Sequence, residues 1–310
     1  MRFFAVLFTV LSLALTSAHA ATKAAPTKPA PTKPAPAKPT RASTPTRPET
    51  PGVFKPFAEF DPSVFPGTSA ESVVVCDAAT GRVLYEKNAS TTRAVASTQK
   101  LMTALIIAED GDLYTNVRVS GPDAQCEQTK LGLKEGETYR RYDLLRILLV
   151  KSMNDVARCL ARDNAGSIED FAKKMNTKAR ELGMRRTNFV NPNGLTEPDQ
   201  YSTAHDMARL ALHAYRNRVL RGIMSTKVLQ WNYDSGKTTT FDNTNKLLKY
   251  FGLSNGMKTG YTEAAGHCLV SSATDNGKHV ICVLLGERRR ENIWTDSHRL
   301  LSWGLNQLNQ

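Results

Sequence analysis

The sequence has no His-Glu-x-x-His motif and no Cys-x-x-Cys pair in its 310 residues. These absences remove the zinc-peptidase and thiolate-zinc readings. Gly236-Lys237-Thr238 imitates the end of a phosphate-binding loop, but Trp231 stands where the first glycine is required. The six histidines are scattered, and none pairs with a nucleophile by local spacing. After Leu15 no apolar run is long enough to span a bilayer. The five cysteines are odd in number, and Cys76, Cys159, Cys268 and Cys282 sit among apolar neighbours. They read as small buried hydrophobes rather than a disulfide framework. Cys126 lies in a polar loop and is the one thiol expected at the surface.

Three stretches of different composition remain. Met1-Arg2, an apolar run from Phe3 to Leu15 and Ala18-His19-Ala20 have the layout of a secretory signal peptide over residues 1–20. Residues 21–58 repeat Pro-Thr-Lys-Pro-Ala and hold ten of the fifteen prolines with few large apolar side chains, so they form a semi-rigid linker without a core. Seven basic residues there, against Glu49, supply half of the formal charge of +12. In an exported chain that charge suits solubility, or weak attraction to anionic wall polymers or headgroups, rather than nucleic acid. Residues 59–310 suffice for one large domain.

Within it, Ser72 to Asp77 and Arg82 to Lys87 read as strands joined by a turn at Ala79-Thr80-Gly81. Ser97 to Glu109, Tyr142 to Val150 and Asp155 to Arg162 have helical periodicity, with a break at Lys151 to Asn154. Ser167 with Asp170 and Thr203 with Asp206 are capping pairs for two more helices. Gly266 to Ala273 and His279 to Gly286 alternate as strands around Asp275-Asn276-Gly277, and a last helix is expected from Thr295 to Leu308. Strands at both ends with helices between them predict an α+β fold: one antiparallel sheet closed by the termini, with helices on both faces.

The chemistry-bearing feature is Ser97-Thr98-Gln99-Lys100, which opens an apolar helix. A spacing of three puts serine and lysine on one helical face, continued inward by Leu101, Ala104 and Ala108. Burial lowers a lysine's pKa, and a neutral lysine beside a hydroxyl can take its proton. The start of a helix also supplies N–H donors for a developing oxyanion. Chance alone yields about one Ser-x-x-Lys in a chain of this length, so the spacing by itself decides nothing. Ser152-Met153-Asn154 falls at the break between two apolar helices, where a loop can present both polar side chains to a cleft. Lys258-Thr259-Gly260 lies just before the final strand pair, and its glycine lets a substrate backbone approach closely.

In this order, the three elements resemble those of the penicillin-recognising serine enzymes, a set known as a motif group. The chain is similar in particular to the low-molecular-mass D-alanyl-D-alanine carboxypeptidases. The likeness extends through Thr80 to Ala89, Leu131 to Glu137, Glu181 to Met184, Phe189 to Leu195, Tyr201 to Ala204 and Gly260 to Gly266. It covers about Ser72 to Gly304.

The resemblance implies a β-lactamase/transpeptidase-like fold with a helical lobe. It implies that Ser97 attacks the peptide bond between two D-alanines of a peptidoglycan stem, with Lys100 as base. Ser152 relays a proton to the leaving amine, and Asn154 holds Lys100 and the substrate amide. Lys258 supplies positive potential, Thr259 bonds the terminal carboxylate, Gly260 admits the substrate backbone, and the amides of Ser97 and Tyr261 form the oxyanion hole. One of Arg288, Arg289 and Arg290 is expected to help bind the carboxylate. β-Lactams are implied as covalent inhibitors; no cofactor, metal or nucleic acid is implied. The expected location is the periplasm or cell exterior, associated with the wall. Lys151 and Met153 depart from the family's usual neighbours, and Met153 is expected to narrow the cleft or alter its loop. The chain ends soon after its last helix, without the β-rich domain and amphipathic helix of many relatives, which implies an enzyme held, if at all, by its linker. A cross-link endopeptidase of the same mechanism, a β-lactamase and a non-catalytic wall-binding protein are the competing readings.

Overall fold

Alternation along the strands sets the two faces of the sheet. Strand β1 (Ser72–Asp77) turns through a loop held by Asp77 into β2 (Val83–Lys87). In this computed structural model, which describes residues 57–126 and 128–310, a single 3₁₀ turn (Ala96–Gln99) follows and runs into helix α1 (Lys100–Glu109). Next come β3 (Asn116–Arg118), the short α2 (Gly121–Ala124), β4 (Thr138–Arg140), α3 (Arg141–Lys151), α4 (Asn154–Ala165) and α5 (Ile168–Glu181). Helices α6 (Ala204–Arg216) and α7 (Arg218–Met224) lead to a hairpin, β5 (Val228–Asn232) and β6 (Thr238–Asp242). After α8 (Leu247–Tyr250) the chain closes with β7 (Ser254–Thr262), β8 (Gly266–Asp275), β9 (Lys278–Glu287) and α9 (Arg290–Asn309).

The main sheet is antiparallel throughout, in the order β2-β1-β9-β8-β7. Strand β1, from the start of the domain, pairs with β9 from its end, so the termini do close the sheet. Val73, Val75, Leu269, Val280, Cys282 and Leu284 face α9, where Ile293, Leu300, Leu301 and Leu305 complete one core layer. Val74, Cys76, Val270, Ile281, Val283 and Leu285 face the helical side and join α1, α3, α4 and α6. Each such side chain, fully buried, contributes about 1.5–3 kcal/mol. The α+β expectation, with helices on both faces, therefore holds.

Local signals worked where the chemistry is local. Ser167 and Thr203 each accept a bond from the amide three residues on and cap α5 and α6. Asn276 and Gly277, at φ 46° and 75°, make the two-residue turn between β8 and β9. Other expectations are corrected. Helix α9 begins at Arg290, five residues before the expected Thr295, and without a side-chain cap to announce it. Lys258, Thr259 and Gly260 lie inside β7 rather than before the strand pair. Three glycines from 252 to 260 and the absence of apolar alternation hid that strand. Gly236-Lys237-Thr238 belongs to the β5–β6 hairpin. Cys126, expected at the surface, is 5% exposed, because its loop folds down beside Asn193, whose amide nitrogen is 3.9 Å from the sulfur. The expected signal peptide and all but the last two residues of the linker lie outside the described residues. Among the described residues no helix is long and apolar enough to cross a membrane.

Candidate active site

Helix α1 is buried over its first eight residues, so Lys100 at its head is wholly enclosed rather than half-solvated. The turn before it holds Ala96 at φ 48°, a left-handed conformation that costs a non-glycine residue about 1–3 kcal/mol. It places Ser97 half-buried at the edge of a cleft of about 480 Å³. The loop after Phe189 presses against that turn. A Cβ at Gly194 would lie 2.3 Å from the Ala96 carbonyl oxygen, so the contact demands glycine. Gln200 and Asn191 tie the same loop to Gln99.

Lys100 Nζ lies 2.8 Å from Ser97 Oγ, 2.7 Å from Asn154 Oδ1 and 2.5 Å from the Asn193 carbonyl oxygen. Two of those partners can only accept. A neutral amine has two N–H bonds and one lone pair, so both hydrogens go to the carbonyl oxygens and the lone pair faces the serine hydroxyl. The environment favours that neutral form: burial, with the nearby Lys258 charge as a second cause, pushes the Lys100 pKa well below its ordinary value. Asn154 is held in the required orientation because its Nδ2 donates to the Gln128 carbonyl at 3.3 Å.

Ser152 ends α3 in the left-handed region at φ 70°, which breaks the helix and turns its hydroxyl toward β7. Lys258 Nζ donates to that hydroxyl at 2.8 Å and to the Thr259 carbonyl at 2.7 Å. Lys258 is fully buried, and burial alone takes its pKa down to about 7. Gly260 passes so close to the 3₁₀ turn that a Cβ there would sit 2.9 Å from both the Ser97 and Thr98 nitrogens. Tyr261 is exposed and stacks on His267 with ring centroids 4.4 Å apart. Burial and the charge of Arg290 hold His267 below its ordinary pKa.

Ser97, Lys100 and Asn154 thus form one hydrogen-bonded group and Ser152 with Lys258 a second, with Thr259, Gly260 and Tyr261 along the β7 wall. Met153 does not narrow the cleft; it is buried in the helical core. Arg290 lines the cleft, whereas Arg288 pairs with Glu71 at 3.3 Å outside it. Sequence reasoning gave no role to Asn193, Thr244 or His267. The quoted Phe189 to Leu195 segment was the available signal for Asn193, but a backbone carbonyl leaves no trace in residue type. No three His, Cys, Asp or Glu side chains among the described residues converge as metal ligands.

The model of the S11 peptidases, described as D-alanyl-D-alanine carboxypeptidase, matches residues 60–289. The chain belongs to the S11 peptidase family. This S11 peptidase is 36% identical over 222 residues to the D-alanyl-D-alanine carboxypeptidase DacF of Bacillus subtilis, covering 70% of this chain and 57% of the relative. It therefore spans under two thirds of that relative's length. It is 33% identical to a D-alanyl-D-alanine endopeptidase of Escherichia coli, covering 77% of this chain and 78% of that protein. Among solved structures, the D-alanyl-D-alanine carboxypeptidase DacD from Francisella tularensis superposes with a TM-score of 0.74 at 30% identity, over 80% of this chain and 74% of the other.

Proposed function

We propose that residues 59–310 are a serine-type D-Ala-D-Ala carboxypeptidase domain, exported by the signal peptide at 1–20 and set off by the linker at 21–58, which trims peptidoglycan stem peptides. The observation that carries the reading is the fully buried Lys100, whose Nζ lies 2.8 Å from Ser97 Oγ in surroundings that lower its pKa. In the reaction, Ser97 Oγ bonds to the carbonyl carbon of the penultimate D-alanine as its proton passes to Lys100. The tetrahedral oxyanion lies between the amides of Ser97 and Tyr261. Ser152, bridged to Lys258, delivers a proton to the departing D-alanine nitrogen, and water then hydrolyses the ester on Ser97. Strand β7 has no strand partner on its outer edge among the described residues, so an extended peptide can lie along it. Thr259 and Arg290 meet its terminal carboxylate.

A penicillin acylates the same serine by opening its ring, so no group departs. Among the described residues no Asp or Glu lines the cleft, and the lifetime of the adduct tests the site against a β-lactamase. Incubation with benzylpenicillin should add the mass of the whole drug to the protein, persisting for many minutes and mapping to tryptic residues 94–100. Rapid loss of the adduct would point to a β-lactamase, and no adduct at all to a non-catalytic protein. Release of D-alanine from a stem pentapeptide tests the activity itself.

A cross-link endopeptidase is the second reading. It is favoured by the fuller mutual coverage with the Escherichia coli endopeptidase than with DacF. Cleavage of a cross-linked dimer at least as fast as the pentapeptide would move the assignment there.

The two lysines set a pH profile. Acylation requires neutral Lys100, so kcat/KM should rise with pH through its depressed pKa. Lys258 attracts the carboxylate only while charged, so kcat/KM should fall as pH climbs past about 7. Arginine stays charged, so Lys258→Arg should move the falling limb beyond pH 9 while leaving the rising limb in place. An unmoved falling limb would refute this role of Lys258.

A further inference from the structure

One hydroxyl at the β7 wall has a partner without a role so far. Thr259 Oγ1 donates to Thr244 Oγ1 at 2.8 Å, and Thr244 lines the cleft beside Lys151, Thr259 and Arg290. Thr244 is half-buried. Its amide donates to the Val150 carbonyl at 3.0 Å, which ties it to the end of α3 just before Ser152. The neighbouring Asn245 is 2% exposed; its amide nitrogen donates to the Gly256 carbonyl at 2.8 Å and its side-chain oxygen caps Leu247. The loop is therefore pinned both to α3 and to β7.

We infer that Thr244 is a specificity-determining residue, the second hydroxyl donor for the free C-terminal carboxylate of the peptide. This rests on the carboxypeptidase reading above. A carboxylate has two oxygens and accepts only, whereas a single threonine hydroxyl donates once. In the unliganded site the Thr259 proton is directed at Thr244. When a carboxylate enters, Thr259 turns its O–H to one oxygen, and Thr244, relieved of accepting that bond, gives its own proton to the other. Arg290 supplies the charge nearby. Two preorganised O–H donors at fixed separation select a planar carboxylate over an amide or ester, which lacks the second acceptor of full negative charge.

The test compares Thr244→Val, Thr244→Ser and wild type on a stem pentapeptide and on its C-terminal amide, with benzylpenicillin and its methyl ester as a second pair. Thr244→Val should raise KM for the free acid roughly 10- to 100-fold, the loss of one hydrogen bond to a charged group. It should leave kcat within about threefold and KM for the amide nearly unchanged, and Thr244→Ser should restore the wild-type ratio. Penicillin acylation should follow the same split between acid and ester. Equal losses on acid and amide, or no change on either, would overturn the inference. If wild type releases no D-alanine, the carboxypeptidase reading fails by itself. The penicillin pair then still decides whether Thr244 reads the carboxylate.

Discussion

Ser97→Ala should leave no measurable acylation by penicillin and should lower kcat/KM on the pentapeptide by on the order of 10⁵ or more, since nucleophile and base act as one unit. Lys100→Met should come close to the same loss, on the order of 10⁴, because no other described side chain lies within bonding distance of Ser97 Oγ. Both variants should fold, because neither replacement is larger than the residue it replaces. A thermal-unfolding series separates chemistry from structure. An unfolded lysine keeps its proton up to about pH 10.5, whereas folded Lys258 loses it near 7 and Lys100 is depressed as well. Between those values the unfolded chain binds more protons, so the melting temperature of wild type should gain from these groups as pH rises. Lys100→Met should flatten part of that rise, and Ser97→Ala should not. A Lys100→Met protein with an unchanged slope would mean that the lysine is not held neutral, and its assignment as base would fall.

Gly260→Ala should slow acylation by roughly 10²- to 10³-fold, the size of losing one oxyanion donor. The added methyl would stand 2.9 Å from the Ser97 and Thr98 nitrogens and 3.1 Å from Ala96 Cβ. The first two are backbone atoms that cannot swing aside, so β7 and the 3₁₀ turn must move apart. That separates the Ser97 amide from its counterpart on Tyr261 while leaving Lys100 with its partners. The expected signature is a large fall in the acylation rate constant with a modest cost in stability, about 1–3 kcal/mol. Time-resolved labelling with a fluorescent penicillin measures it. Acylation at the wild-type rate would show that the close approach of β7 does not shape the oxyanion site.

Much of the scaffold was legible because its signals are local. The pair Asn276-Gly277 needs only its own backbone preferences to turn a hairpin, and Ser167 or Thr203 needs only an amide three residues away. Strand β7 escaped because what makes it a strand is its ladder to β8, not its own composition. The early start of α9 escaped for a similar reason. Its first turn is set by the end of β9, where the buried Glu287 carboxylate accepts the Arg289 amide at 3.0 Å.

For the site the division is sharper. From the sequence alone, Ser97 and Lys100 fall on one face at a helix start, Ser152 and Asn154 at a helix break, and Lys258 to Tyr261 in one short run. Those placements follow from spacing within a single element. Tertiary structure decided what the residues are able to do. Lys100 suits the proposed role of base because burial and Lys258 lower its pKa, and because its Nζ donates to the Asn193 carbonyl, 93 residues away. Ser152 meets Lys258 across 106 residues, Arg290 rather than Arg288 reaches the cleft, and Met153 turns into the core. Each of these depends on how separate elements pack. Desolvation and long-range contact are properties of the assembled interior, so the residue pattern could name the groups but not set their protonation or their aim.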